Sequence, residues 1–145
     1  MVSIELYVVI NRPVEEVYAY TSNPENNSQW ESHCLGSVIT SEGPTGVGTT
    51  FSDVIKFLGR RIESIWEITE FDPNKKVSLK SIKSPIPAKV GYTYEDVEGG
   101  TKVTVVGEVE LGGLFKLTKP FIVREGKKEW ETSLANLKDL LEAQA

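Results

Sequence analysis

The stretch Ile86-Pro87-Ala88-Lys89-Val90-Gly91-Tyr92-Thr93-Tyr94-Glu95-Asp96-Val97-Glu98-Gly99-Gly100-Thr101-Lys102-Val103-Thr104-Val105-Val106-Gly107-Glu108-Val109-Glu110-Leu111 decides the fold. Its two halves alternate about Glu98-Gly99-Gly100. Side chains on a strand point to opposite faces with period two. Ile86, Ala88, Val90, Tyr92 and Tyr94 therefore share one face, and Val103, Val105 and Val109 share the matching face. Glu98-Gly99-Gly100 is hairpin chemistry, so the two runs pair antiparallel.

Working outward, the same pattern recurs. Arg60 to Phe71 turns Ile62, Trp66 and Ile68 inward and Arg61, Glu63 and Glu67 outward. Thr49 to Phe57 places Phe51, Ile55 and Phe57 on one face, and Val2 to Ile10 does so with Val2, Ile4, Leu6, Val8 and Ile10. Cys34 to Thr40 and Val77 to Ile82 are shorter strands. Glu42-Gly43-Pro44-Thr45-Gly46, Leu58-Gly59 and Asp72-Pro73-Asn74 are the turns. Helical spacing occurs over Pro13 to Tyr20, with Asn11 placed to cap it, and again from Ser22-Asn23-Pro24-Glu25 to Trp30. Leu114 to Glu142 is a long helical segment with Leu117, Phe121, Leu134, Leu137 and Leu141 as its stripe, kinked or restarted at Pro120. A seven-stranded sheet must cover its apolar face, and this segment is long enough to do so.

The 145 residues fit a single domain, 1–145. A net charge of −5, from 21 acidic and 16 basic residues, argues against nucleic-acid binding, because the pairs Arg60-Arg61, Lys75-Lys76 and Lys127-Lys128 are scattered among acids. No stretch approaches the roughly 18 apolar residues of a membrane span, which argues against stable membrane insertion. The N-terminus lacks a secretory pattern. The single cysteine, Cys34, excludes an internal disulfide and is compatible with a cytoplasmic setting.

The inward faces also carry Asp53, Ser64, Ser81, Tyr92 and Tyr94. Burying an unpaired polar group costs roughly 1–3 kcal/mol, so a filled core avoids such groups while a lined cavity uses a few of them. Trp30, Phe51, Trp66, Tyr92 and Tyr94, with Phe121 facing them from the helix, are candidate pocket residues beside Asp53 and Ser64; the same aromatics also suit a plain core. Asp53 is the weak catalytic candidate: a dry carboxyl holds its proton more tightly and can act as a general acid or base. A bulge, or neutralisation by Arg60 or Lys56, would cancel that role.

His33 and Cys34 are adjacent, but neighbours on a strand point apart, so they read as structural or surface residues rather than a catalytic pair. One histidine without a carboxylate at ligand spacing makes no metal site. No phosphate loop, dinucleotide fingerprint or nucleophile elbow is present, and no cofactor is implied. Gly43-Pro44-Thr45-Gly46-Val47-Gly48 lies between strands and reads as a hairpin turn or pocket rim. Pro85 and Pro87 mark an edge or entrance loop. Trp130 is either core or a surface anchor.

The chain resembles the START-like, or SRPBCC, superfamily and its polyketide cyclase/dehydratase and lipid-transport branch. The resemblance is carried by Ile10-Asn11-Arg12-Pro13-Val14-Glu15-Glu16-Val17-Tyr18, Ser22-Asn23-Pro24-Glu25 leading to Trp30, Gly46-Val47-Gly48-Thr49, Trp66-Glu67-Ile68 with Asp72-Pro73-Asn74-Lys75, and Leu134-Ala135-Asn136-Leu137-Lys138-Asp139-Leu140-Leu141-Glu142. It implies an α+β helix-grip fold: a seven-stranded curved antiparallel sheet wrapped around a long C-terminal helix, with two short helices between strands 1 and 2. It further implies an internal cavity for a small hydrophobic ligand such as a lipid, sterol, isoprenoid or polyketide, with a cyclase or dehydratase as the alternative. Function lives in the site rather than the fold, and the resemblance brings no catalytic set. A homodimer through the sheet edge or the Trp130 face is a third option.

Overall fold

The structure, a computed structural model, describes residues 2–111 and 117–144. Seven strands run β1 (Val2–Ile10), β2 (Cys34–Ile39), β3 (Thr50–Phe57), β4 (Arg60–Asp72), β5 (Lys76–Lys83), β6 (Ala88–Val97) and β7 (Gly100–Val109). Helix α1 (Val14–Thr21), a 3₁₀ turn (Pro24–Asn26) and α2 (Asn27–Trp30) lie between β1 and β2, and α3 (Lys119–Glu142) follows β7. All the strands pair antiparallel in the order β1-β7-β6-β5-β4-β3-β2, so the first two strands form opposite edges. This is the helix-grip α+β arrangement that the resemblance implies.

The turns follow the residues that tolerate left-handed backbone. Leu58 (φ 52°) and Gly59 (φ 78°) make the two-residue β3–β4 connection. Gly100 (φ 137°) has a second reason to lack a side chain: a Cβ there would lie 2.0 Å from the carbonyl oxygen of Ile10. That close approach locks the β6–β7 hairpin against the end of β1.

Two local expectations change. Pro13, not Asn11, occupies the N-cap position of α1, and no side chain caps that helix. The Asn11 backbone N–H instead donates to Glu142 Oε2 at 2.8 Å, fastening β1 to the end of α3. The long helix begins at Lys119, so Pro120 starts it rather than kinking it. A proline fits the first turn because its missing N–H has no helical partner there. Residues 114–116 of the expected helix lie outside the described residues, and Leu117 is exposed ahead of it.

The concave face divides in two. At one end Ile10, Val17, Tyr18, Val103, Leu137 and Leu141 are buried. Tyr18 meets Phe71 and Tyr94 edge to face there, at 5.6 and 5.2 Å between ring centroids. At the other end the side chains leave space. Among the described residues no helix is long and apolar enough to cross a membrane.

Candidate functional site

The space is a cavity of about 210 Å³ between the sheet and the first half of α3. A single water needs only ~10–15 Å³ measured this way. The antiparallel register builds the wall: Phe51 lies opposite Trp66, Asp53 opposite Ser64, Ile55 opposite Ile62, and Val90 opposite Gly107. Ile122, Val123, Gly126, Glu129 and Trp130 of α3 close it from above.

A polar group sits in this apolar setting. Glu31 is the residue after α2, and only 8% of it is exposed. Its backbone is held by its N–H to the Asn27 carbonyl at 2.9 Å and by its carbonyl accepting from Cys34 N–H at 3.0 Å. Helix α3 fixes the same segment. Asn136 Nδ2 donates to the Trp30 carbonyl at 3.3 Å, Ser32 N–H donates to Ser133 Oγ at 2.9 Å, and the Ser32 hydroxyl donates to Glu129 Oε2. Tyr92 Oη donates to Glu31 Oε1 at 3.3 Å, and Cys34 Sγ donates to Asp53 Oδ1 at 3.3 Å. The ligand-type atoms of Glu31, Cys34 and Asp53 lie within 4.8 Å of one another, so these three residues could together supply ligands to a metal ion.

The electrostatics favour protons on this cluster. Desolvation first, then the neighbouring Asp53 charge, raise the Glu31 pKa to about 8, against a smaller lowering by the Tyr92 hydrogen bond. Burial likewise raises Asp53, partly offset by the Cys34 hydrogen bond. Cys34 and Tyr92 are pushed up by burial and by the adjacent carboxylates. The result is a buried carboxylic acid, neutral near pH 7, beside a second carboxyl group.

An irregularity in β2 brings Cys34 to this cluster. The ladder with β3 slips between Cys34 and Gly36, a bulge that lets both Cys34 and Ser37 point inward although they are three residues apart. Cys34 then lies diagonal to Asp53, within side-chain reach. The bulge is on the partner strand and not at Asp53, and the Asp53 carboxylate contacts the Cys34 thiol rather than Arg60 or Lys56. Its inward direction stands.

Of the residues singled out in the sequence, Phe51, Asp53, Ser64, Trp66 and Tyr92 line the cavity. Trp30 lies behind the wall, edge-on to Tyr92 and tilted against Trp130, with ring centroids 6.3 and 6.1 Å apart. Tyr94 faces the packed end, where its hydroxyl shares a hydrogen bond of 2.6 Å with Thr21. Phe121 is turned outward, 46% exposed, with the Arg124 guanidinium over its ring. The inward row of α3 is Ile122, Gly126, Trp130, Leu134, Leu137 and Leu141. One residue is ~100° of rotation on a helix, which carries Phe121 off that row. Ser81 accepts a hydrogen bond from Ala88 N–H at 2.9 Å at the β5–β6 connection.

His33, read as structural or exposed, lines the cavity with its ring 5.7 Å from Trp130, and its Nδ1 has no hydrogen-bond partner among the described residues. Burial lowers its pKa, keeping it neutral. Trp130 packs inward against Trp30, Tyr92 and His33 instead of presenting a surface. Sequence reasoning misses Glu31 altogether. It sits at the junction of a one-turn helix and a strand, where neither period applies, and its only sequence signal is an acid directly after a core tryptophan.

A concave sheet gripping a C-terminal helix over an unfilled, apolar-walled cavity defines a helix-grip protein. Residues 1–142 match the polyketide cyclase/dehydrase and lipid transport family, and the chain belongs to it. No curated protein matches the sequence. Among solved structures, TTHA0849 from Thermus thermophilus is similar with a TM-score of 0.87 at 16% identity, covering 99% of each chain. The di-domain ARO/CYC StfQ from the steffimycin biosynthetic pathway is similar with a TM-score of 0.82 at 13% identity, over 99% of this chain and 51% of that one. The structure of Ara h 8.0201 is similar with a TM-score of 0.74 at 14% identity, over 98% of each chain. At these identities the likeness is one of fold.

Proposed function

We propose that this protein binds a small hydrophobic ligand in the cavity between its sheet and α3. The observation that carries the reading is the unfilled space itself, about 210 Å³ with mainly aliphatic and aromatic walls and a small polar group at Glu31, Asp53 and Tyr92. Interiors otherwise pack to near-crystalline density, so a void of this size that served no ligand would be destabilising. Native mass spectrometry of freshly purified protein, followed by thermal shifts against uncharged isoprenoids, sterols and aromatic polyketides, tests it. A copurifying or stabilising small molecule is the expected result. Absence of any stabilisation across the panel, with no copurified mass, would overturn the reading.

The Glu31–Asp53 pair favours a second reading, a dehydratase. In a bound β-hydroxy carbonyl chain, the Asp53 carboxylate would take the proton α to the carbonyl while the Glu31 acid protonates the departing hydroxyl. The C–O bond breaks, a C=C bond forms and water leaves; a proton passing from Asp53 to Glu31 restores both. Two carboxyl groups close together in one pocket can divide such acid and base roles. Turnover lost in both Glu31→Gln and Asp53→Asn, with ligand stabilisation retained, would support this reading over simple carriage. Turnover of a found substrate unchanged in both variants would remove the pair from catalysis.

A further inference from the structure

We propose that the cavity selects its ligand by charge, accepting molecules whose polar group is an uncharged carbonyl or hydroxyl seated at Glu31 and turning away carboxylates. This rests on the ligand-binding reading above and narrows it. Three carboxyl side chains line the cavity from three separate places: Glu31 after α2, Asp53 on β3 and Glu129 on α3. Among the described residues of the wall, Lys89 is the only lysine or arginine, and it is exposed, alternating with the inward Ala88 and Val90. His33 is neutral, its pKa lowered by burial. An anionic head entering this space would lose its water, lie among three carboxyl side chains and find no buried lysine or arginine among the described residues to pair with.

An uncharged head finds partners. One Glu31 oxygen accepts the Tyr92 hydroxyl, which leaves its second oxygen to pair with a ligand hydroxyl, and the His33 Nδ1, without a partner among the described residues, offers a ligand carbonyl or hydroxyl a further polar contact. Asp53 has one oxygen engaged by Cys34, and its other, without a partner among the described residues, can accept from a hydroxyl. Ser64 donates to Ser84, Ser84 donates to the Ile86 carbonyl and Glu129 accepts from Ser32, while Glu31, Asp53 and the His33 Nδ1 offer polar atoms to a ligand.

The test compares three ligands of one chain length, 1-decanol, 2-decanone and decanoate, by calorimetry at pH 7 with the full chain. The alcohol and ketone are expected to bind at least about tenfold more tightly than decanoate. Asp53→Asn, which removes the like charge without changing shape, is expected to narrow that ratio by strengthening decanoate. Decanoate binding as tightly as decanol to the wild-type protein would overturn charge selection while leaving the ligand site standing. Binding of none of the three would overturn the ligand-binding reading and this inference with it.

Discussion

Replacing Glu31 by glutamine removes one ionisation and little else, because the amide has the carboxyl group's shape and can still accept from Tyr92. In the folded chain Glu31 has a pKa of about 8, against 4.5 for an unburied glutamate. The folded state therefore holds the proton more tightly than the unfolded chain does. Below pH 4.5 both states are protonated and the site imposes no penalty. Between 4.5 and about 8 the unfolded chain has released its proton and the folded chain has not, so stability falls as pH rises. At ~1.4 kcal/mol per pH unit, the full span corresponds to roughly 5 kcal/mol, shared with the coupled Asp53. That is a large part of the ~5–15 kcal/mol that holds a typical domain folded. Denaturant unfolding of wild type and Glu31→Gln at pH steps from 5 to 9 measures it. His33, whose lowered pKa acts with the opposite sign near pH 6.5, and the other groups largely cancel in the difference. The two stability curves should separate progressively with pH, the variant being more stable above pH 8. Curves that run parallel to within ~0.5 kcal/mol would refute the buried neutral acid, since ΔΔG for an inert surface change stays within that range.

Other substitutions probe the surrounding structure. Gly100→Ala should destabilise by ~3 kcal/mol or more, because its Cβ would strike the Ile10 carbonyl and its φ suits glycine, and a drop in Tm of ~10 °C or more would register it. Leu137→Ala, at a fully buried position on the inward row of α3, should cost about 2–5 kcal/mol in denaturant unfolding. The Cys34 thiol should react very slowly with a disulfide reagent at pH 8, since burial first and then the neighbouring Asp53 carboxyl group hold it protonated. Asp53→Asn should speed that reaction, as followed by absorbance.

The strands are legible because each alternates cleanly between a wet face and a dry one. The runs through Tyr92 and Val105 imply antiparallel pairing on their own, and Asp53 is placed inward by counting twos from Phe51. Other features follow from relations between distant segments that no local period encodes. The bulge at Cys34–Gly36 rotates one side chain into the cluster, and its sequence is unremarkable. Helix α3 has several apolar residues off its inward row, so choosing Phe121 in place of Ile122 is an error of one residue in phase. Glu31 owes its character to Asn136, Ser133 and Tyr92, more than 60 residues away in the chain.

The most direct measurement fills the cavity. Gly107 lies on the inner face of β7, and a Cβ built there meets no atom within 4 Å. Gly107→Phe should keep the fold, since an aromatic suits a strand, while its ring occupies the ligand space. Titration with the uncharged dye Nile red should give saturable one-to-one fluorescence enhancement in the wild-type protein and none in Gly107→Phe, with Tm preserved. Equal enhancement in the two proteins would place the dye elsewhere and contradict an internal ligand site.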